Sequence, residues 1–125
     1  MKTIPRATYR IQFHAGFTLD DAAGLADYLK ALGVSHLFAS PYLRAAPGST
    51  HGYDVVDPGR INAELGGMEV HNRLCRALDR CGLGQILDVV PNHYGRYRSR
   101  KPLVVPVMRQ SKIVAILGVG NKPVD

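Results

Sequence analysis

Residues 7–13 alternate apolar and polar side chains, the period of a strand that buries one face. Thr18 then stands three positions before Asp21, close to a capping box, so a helix is predicted to start there. Ala22, Leu25, Ala26, Leu29 and Leu32 recur at helical spacing, and Gly33 supplies a C-terminal cap. Residues 36–40 read as a second strand closed by Pro41. Over 67–81, Val70, Leu74, Ala77, Leu78 and Cys81 form one stripe of a second helix, ended by Gly82 and Gly84. Residues 85–90 make a third strand, stopped by Pro91.

Strand, helix, strand, helix, strand is the order of an α/β fold with parallel strands and right-handed crossovers. One connection breaks the rhythm. Some twenty-five residues, 42–66, are rich in Gly, Pro, Asp and Asn. Long irregular connections in compact domains are usually functional, and loops leaving the C-terminal ends of strands build the active face of α/β folds. This loop leaves such an end, and so does Pro91-Asn92-His93. Beyond residue 100 the pattern changes to two apolar runs, 103–108 and 113–117, separated by Arg109-Gln110-Ser111-Lys112, which predicts a β-hairpin. Pro106 fits an edge position or a bulge.

Length and composition (125 residues, 46% apolar, 21% charged) describe one ordinary globular domain, able to bury a real core. The net charge of +6 changes the picture because of where it sits. Residues 1–93 hold nine Lys/Arg against nine Asp/Glu, whereas 94–125 hold seven against Asp125 alone. Such a step marks a change of module near His93-Tyr94, giving units 1–93 and 94–125. A basic stretch with Tyr94 and Tyr97 could grip nucleic acid, but its few cations read better as a solvated linker, so no nucleic-acid partner is expected. No run is long enough to cross a membrane, and the proline-broken basic N-terminus does not read as a secretory signal. Cys75 and Cys81 match neither a redox pair nor a zinc spacing, which leaves a reduced, cytoplasmic protein as the default.

Asp88 is the most informative residue, because it interrupts a strand that should be buried. An unpaired buried carboxylate is very costly, so it must have partners. A substrate site and a structural ion pair both satisfy that demand. His93, five residues on, could donate to a ligand hydroxyl or simply cap its loop. His51-Gly52-Tyr53-Asp54 combines an aromatic platform, a carboxylate and an imidazole beside a flexible glycine, the mixture that sugar sites use. A turn held by Asp54 is the competing reading. Gly118-Val119-Gly120 lacks the rest of a dinucleotide loop, no nucleophile elbow or phosphate loop occurs, and the five histidines never reach metal-ligand spacing. No metal and no cofactor are expected.

Several separated motifs, taken together and in order, resemble the start of the α-amylase-type glycoside hydrolase barrel. They are Tyr9-Arg10-Ile11-Gln12-Phe13, Ser40-Pro41-Tyr42, Pro47-Gly48-Ser49-Thr50-His51-Gly52-Tyr53-Asp54 with Val55-Val56-Asp57-Pro58, Arg60-Ile61-Asn62, Glu64-Leu65-Gly66-Gly67 and Asp88-Val89-Val90-Pro91-Asn92-His93. They cover residues 4–93, about three-quarters of the chain. The resemblance implies a partial (β/α)8 TIM barrel, its first three strands and two helices, followed by the hairpin. It further implies the trehalose-forming branch of the family, which works without a cofactor. That branch isomerises the reducing-end α-1,4 bond of maltodextrins to an α,α-1,1 bond. The tyrosine matching Tyr53 then stacks under the sugar, while the residues matching Asp88 and His93 support that subsite. His51, Asp54 and Asn92 join them as substrate-side candidates. The asparagine matching Asn92 binds calcium in many amylases, a role not extended to this chain.

Retaining chemistry needs two carboxyl groups roughly 5 Å apart. In the family they lie on later strands, and none of Asp20, Asp21, Asp54, Asp57, Glu64 or Glu69 stands in a matching context. No catalytic residue is therefore assigned, and the chain alone is expected to be inactive. In the tail, residues 100–107 and 112–123 resemble a strand pair of GAF sensory domains. A non-catalytic module, binding carbohydrate through 42–66 or a small ligand through the tail, is the alternative.

Overall fold

The computed structural model describes residues 4–89 and the backbone of one further strand, Ile113–Leu117. The chain opens with strand β1, Thr8–Ile11, in which only Ile11 is buried, as suits a strand at the edge of a sheet. Helix α1, Leu19–Gly24, starts on the expected capping box. The Thr18 hydroxyl accepts from the Asp21 N–H, and the Asp21 carboxylate accepts from the Thr18 N–H at 2.8 Å.

One continuous helix is predicted here, but the structure has two. At Leu25 the N–H turns back to the Ala22 carbonyl at 3.0 Å, a tighter turn than the helix proper, directly after Gly24. Helix α2, Ala26–Leu32, then resumes and ends on Gly33 at φ +88°, a left-handed cap that glycine adopts without strain. Strand β2, His36–Ala39, follows.

Residues 42–66, predicted to be irregular, fold into an antiparallel pair, β3 (Leu43–Ala45) and β4 (Val55–Ile61), and a short 3-10 turn at Ala63–Leu65. Arg44 faces Asp57 while the adjacent Leu43 faces Ile61, so the residues between 57 and 61 bulge outward. That bulge accommodates Pro58, which cannot donate to a ladder, and Asp57 closes it by accepting from the Gly59 N–H at 2.9 Å.

Helix α3, Gly67–Arg80, buries His71, Leu74, Cys75, Ala77 and Leu78. It closes with paired bonds from Gly82 N to the Asp79 carbonyl and from Leu83 N to the Leu78 carbonyl. Strand β5, Gly84–Val89, then enters the sheet.

The main sheet runs β1-β2-β5-β6 with every neighbour parallel, β6 being Ile113–Leu117. The predicted parallel order of the first three strands therefore stands. One arm of the expected hairpin, 103–108, lies outside the described residues. The other arm, β6, sits parallel beside β5, with Ile86 opposite Val114. Among the described residues the sheet holds four strands, the three predicted and β6.

Helices cover one face of that sheet. Leu19, Ala22, Ala26, Leu29, Leu74 and Leu78 pack with Leu37, Ala39, Leu87 and Val89, all nearly or wholly shielded from solvent. Among the described residues no helix is long and apolar enough to cross a membrane.

A polar thread runs through this core. The Tyr42 hydroxyl donates to the Gln85 side-chain oxygen at 2.5 Å and lies 3.0 Å from His71 Nε2. A hydroxyl has one proton, so His71 must be the donor in the second bond, in its Nε2–H tautomer. Burial pushes the Tyr42 phenol well above the ordinary tyrosine range. Cys75 and Cys81 are buried free thiols, and burial raises Cys75 to about 11.

Burial lowers the His71 pKa from 6.5 to about 4. Below the ordinary value the unfolded chain takes a proton that the folded chain refuses. Stability is therefore complete above about pH 6.5 and falls as pH drops toward about 4. Denaturant midpoints should show a loss of roughly 2 kcal/mol from this group between about pH 7 and about pH 5. A His71→Gln variant should lack that component.

Candidate functional site

In a parallel pair, residues opposite one another point to the same face, and successive residues alternate. Arg10 is opposite Phe38, and Phe38 is opposite Ile86. Asp88 lies two residues beyond Ile86 and shares its face. Since Ile11, Leu37, Ala39, Leu87 and Val89 belong to the helix-packed core, Arg10, Phe38 and Asp88 fall on the other side. In a closed barrel this side is the interior.

The loop between β3 and β4 brings Tyr53 onto this face. Arg10 Nη2 donates to the Tyr53 hydroxyl oxygen at 2.7 Å, and that hydroxyl donates to Asp88 Oδ2 at 2.6 Å. Asp88, half-buried, thus has the partner its place in the strand demands. The Arg10 guanidinium also lies over the Phe38 ring, 5.7 Å from its centroid. Burial first, and the Asp88 carboxylate next, push the Tyr53 phenol above the usual tyrosine range, while Arg10 pulls the other way. The phenol keeps its proton near neutral pH.

His51 and Tyr53 form a nearly parallel ring pair, with centroids 5.9 Å apart and planes 24° apart. His51 Nδ1 accepts from the Tyr53 N–H at 3.0 Å, so that nitrogen carries no proton. The 3.9 Å approach of Asp54 to the same atom is therefore no ion pair while the ring is neutral. Asp54 instead accepts from the Ser49 hydroxyl at 2.5 Å, and Ser49 Oγ accepts from the Gly52 N–H at 3.0 Å. Its contacts are those of a turn, the competing reading of that residue.

Gly52 makes the loop possible. Its φ is +79°, and a Cβ there would overlap the Pro41 carbonyl oxygen.

Of the six candidates, the structure joins Tyr53 with Asp88 and places His51 and Asp54 beside Tyr53. Asn92 and His93 lie outside the described residues. Sequence reasoning missed Arg10 and Phe38. Their signal was present in the strand period, since each sits one position from a core residue. A separate open cavity of about 400 Å³ lies along the β3–β4 pair, lined partly by Arg44, Arg60, Asn62 and Glu64, and none of the six candidates lines it.

Consecutive parallel strands, helices on one face and an aromatic–carboxylate cluster on the other define a segment of a (β/α) barrel of carbohydrate-enzyme type. Residues 19–101 match the family model described as the α-amylase catalytic domain, and the chain belongs to that family. A relative from Mycobacterium tuberculosis bearing the name of a maltooligosyl trehalose synthase is 51% identical over 94 residues, covering 71% of this chain and 12% of its own. A malto-oligosyltrehalose trehalohydrolase from a Rhizobium strain is 36% identical, covering 76% and 16%. The solved maltooligosyltrehalose synthase of Arthrobacter ramosus superposes with a TM-score of 0.68 at 48% identity, over 70% of this chain and 12% of that one. The chain thus spans about an eighth of the length of the synthases it matches.

Gly52→Ala should lower stability by about 1–3 kcal/mol and displace Tyr53, seen as a changed tyrosine near-ultraviolet circular dichroism signal. Gly48→Ala, also at positive φ (+75°) but with open space around its Cβ, should cost about 1 kcal/mol and leave that signal unchanged.

Proposed function

We propose that this chain is the opening portion of a malto-oligosyltrehalose synthase, a (1→4)-α-D-glucan 1-α-D-glucosylmutase. The whole enzyme would isomerise the reducing-end α-1,4 bond of a maltodextrin to an α,α-1,1 bond in trehalose synthesis. The observation that carries this reading is the chain of hydrogen bonds from Arg10 through Tyr53 to Asp88, next to the His51 ring. A sugar needs a flat apolar surface for its ring face and fixed polar groups for its hydroxyls. Tyr53 and His51 supply the first, and Asp88 the second. Identity near one-half to the synthases over most of this chain supports that branch of the family.

Asn92 and His93 stand three and four positions past the end of β5 in the sequence and lie outside the described residues; we propose them as further substrate-side residues on the strength of the family resemblance. Asp54 serves this site by holding the turn that carries Tyr53. Without an assigned acid/base and nucleophile pair, the 125-residue chain binds glucan and does not isomerise it. We also propose the division at residue 93, where the charge balance changes. A separate GAF-like sensory role for the tail draws no support from Ile113–Leu117, which extends the barrel sheet.

Titrating the purified chain with a maltodextrin should give a saturable change in tyrosine fluorescence, lost in Tyr53→Ala, with no trehalose-ended product. Product formation would overturn the inactive assignment. Absence of binding, together with DNA or RNA binding that weakens steeply with salt, would favour a nucleic-acid role instead.

A further inference from the structure

We infer that Arg10 is the positioning residue of the Tyr53 platform, an inference that rests on the sugar-binding reading above. Arg10 on strand β1 and Gln12 just past its end both reach the loop that carries Tyr53. Arg10 donates to the Tyr53 hydroxyl at 2.7 Å, and Gln12 Nε2 donates to the Thr50 carbonyl at 2.9 Å. The loop residues between those points are His51 and Gly52. Arg10 and Gln12 therefore tether the loop on either side of His51 and Gly52 in the sequence.

Arg10 does more than tether. A guanidinium only donates, so its bond fills the acceptor side of the Tyr53 oxygen. The single phenolic proton must then point at Asp88, which it does at 2.6 Å. Tyr53 is fixed in ring plane and in proton direction at once, and Phe38 supports the guanidinium from below. On Asp88 the bond engages Oδ2, and Oδ1 has no hydrogen-bond partner among the described residues. Among the described residues, the ionisable groups facing Tyr53 are Arg10 from β1, Asp88 from β5 and His51 from its own loop.

The test uses the full chain with Arg10→Gln and Arg10→Lys, each with and without Tyr53→Phe. The Tyr53→Phe difference isolates one phenol from the chain's six tyrosines in an ultraviolet pH titration. Arg10→Gln should move Tyr53 ionisation to higher pH, because the cation that favours the phenolate is gone. It should also weaken maltodextrin binding about five- to tenfold, with Arg10→Lys recovering part of both. Arg10 is exposed, so the melting temperature should stay at the wild-type value. An unmoved Tyr53 titration, or unchanged maltodextrin affinity in Arg10→Gln, overturns the positioning role. Failure of the wild-type chain to bind maltodextrin, with the titration shift intact, overturns the sugar reading and not the Arg10–Tyr53 contact.

Discussion

The alternation of side chains along parallel strands is the constraint on which the rest of this molecule depends. A strand cannot show neighbouring residues to one face. Once Ile11, Leu37, Ala39, Leu87 and Val89 are committed to the helices, Arg10, Phe38, Ile86 and Asp88 must occupy the opposite side. Register then sets them side by side across three strands. Hydrophobic burial drives the first choice, and the polar cluster follows from it. A slip of one residue in β5 would exchange Asp88 for a core aliphatic and destroy both faces together.

The second requirement is a loop that reaches over that face without collapsing. The β3–β4 pair meets it through backbone pairing of its own, so the excursion is ordered by a ladder rather than by side chains alone. Its tip depends on a few small contacts. Ser49 links Asp54 to the Gly52 amide, and the missing Cβ of Gly52 lets the chain pass against Pro41. The sequence puts Gly, Ser and Asp where backbone and polar geometry need them, and Tyr53, half-buried, at the tip they shape.

Strand order, parallel pairing and the helix cap at Thr18 were legible because each rests on a local periodicity or spacing. Asp88 was legible as well, since a carboxylate in an apolar strand forces the question of its partner. The break at Leu25 was not, because Leu25 continues the apolar stripe while Gly24 only weakens the helix locally. The β3–β4 pair was hidden by Pro58 and Gly59, which mark turns on their own and here form a bulge inside a strand. Arg10 read as the solvent side of a half-buried strand. Its partner lies 43 residues away, and pattern alone carries no information on such a contact. His71 is not on the predicted apolar stripe, yet it is fully shielded, with Tyr42 and Gln85 continuing its hydrogen bonding through the core.

The two sulfurs of α3 and its cap have a practical consequence. Both are buried, Cys81 Sγ donating to Asp27 of α2 at 3.3 Å, and Cys75 holds its proton more tightly than a free thiol. The thiolate is the reactive form, so alkylation must wait for the helical layer to lift away. The rate at which a thiol reagent labels this chain is then a clock for breathing of that layer, built into the molecule without any added probe.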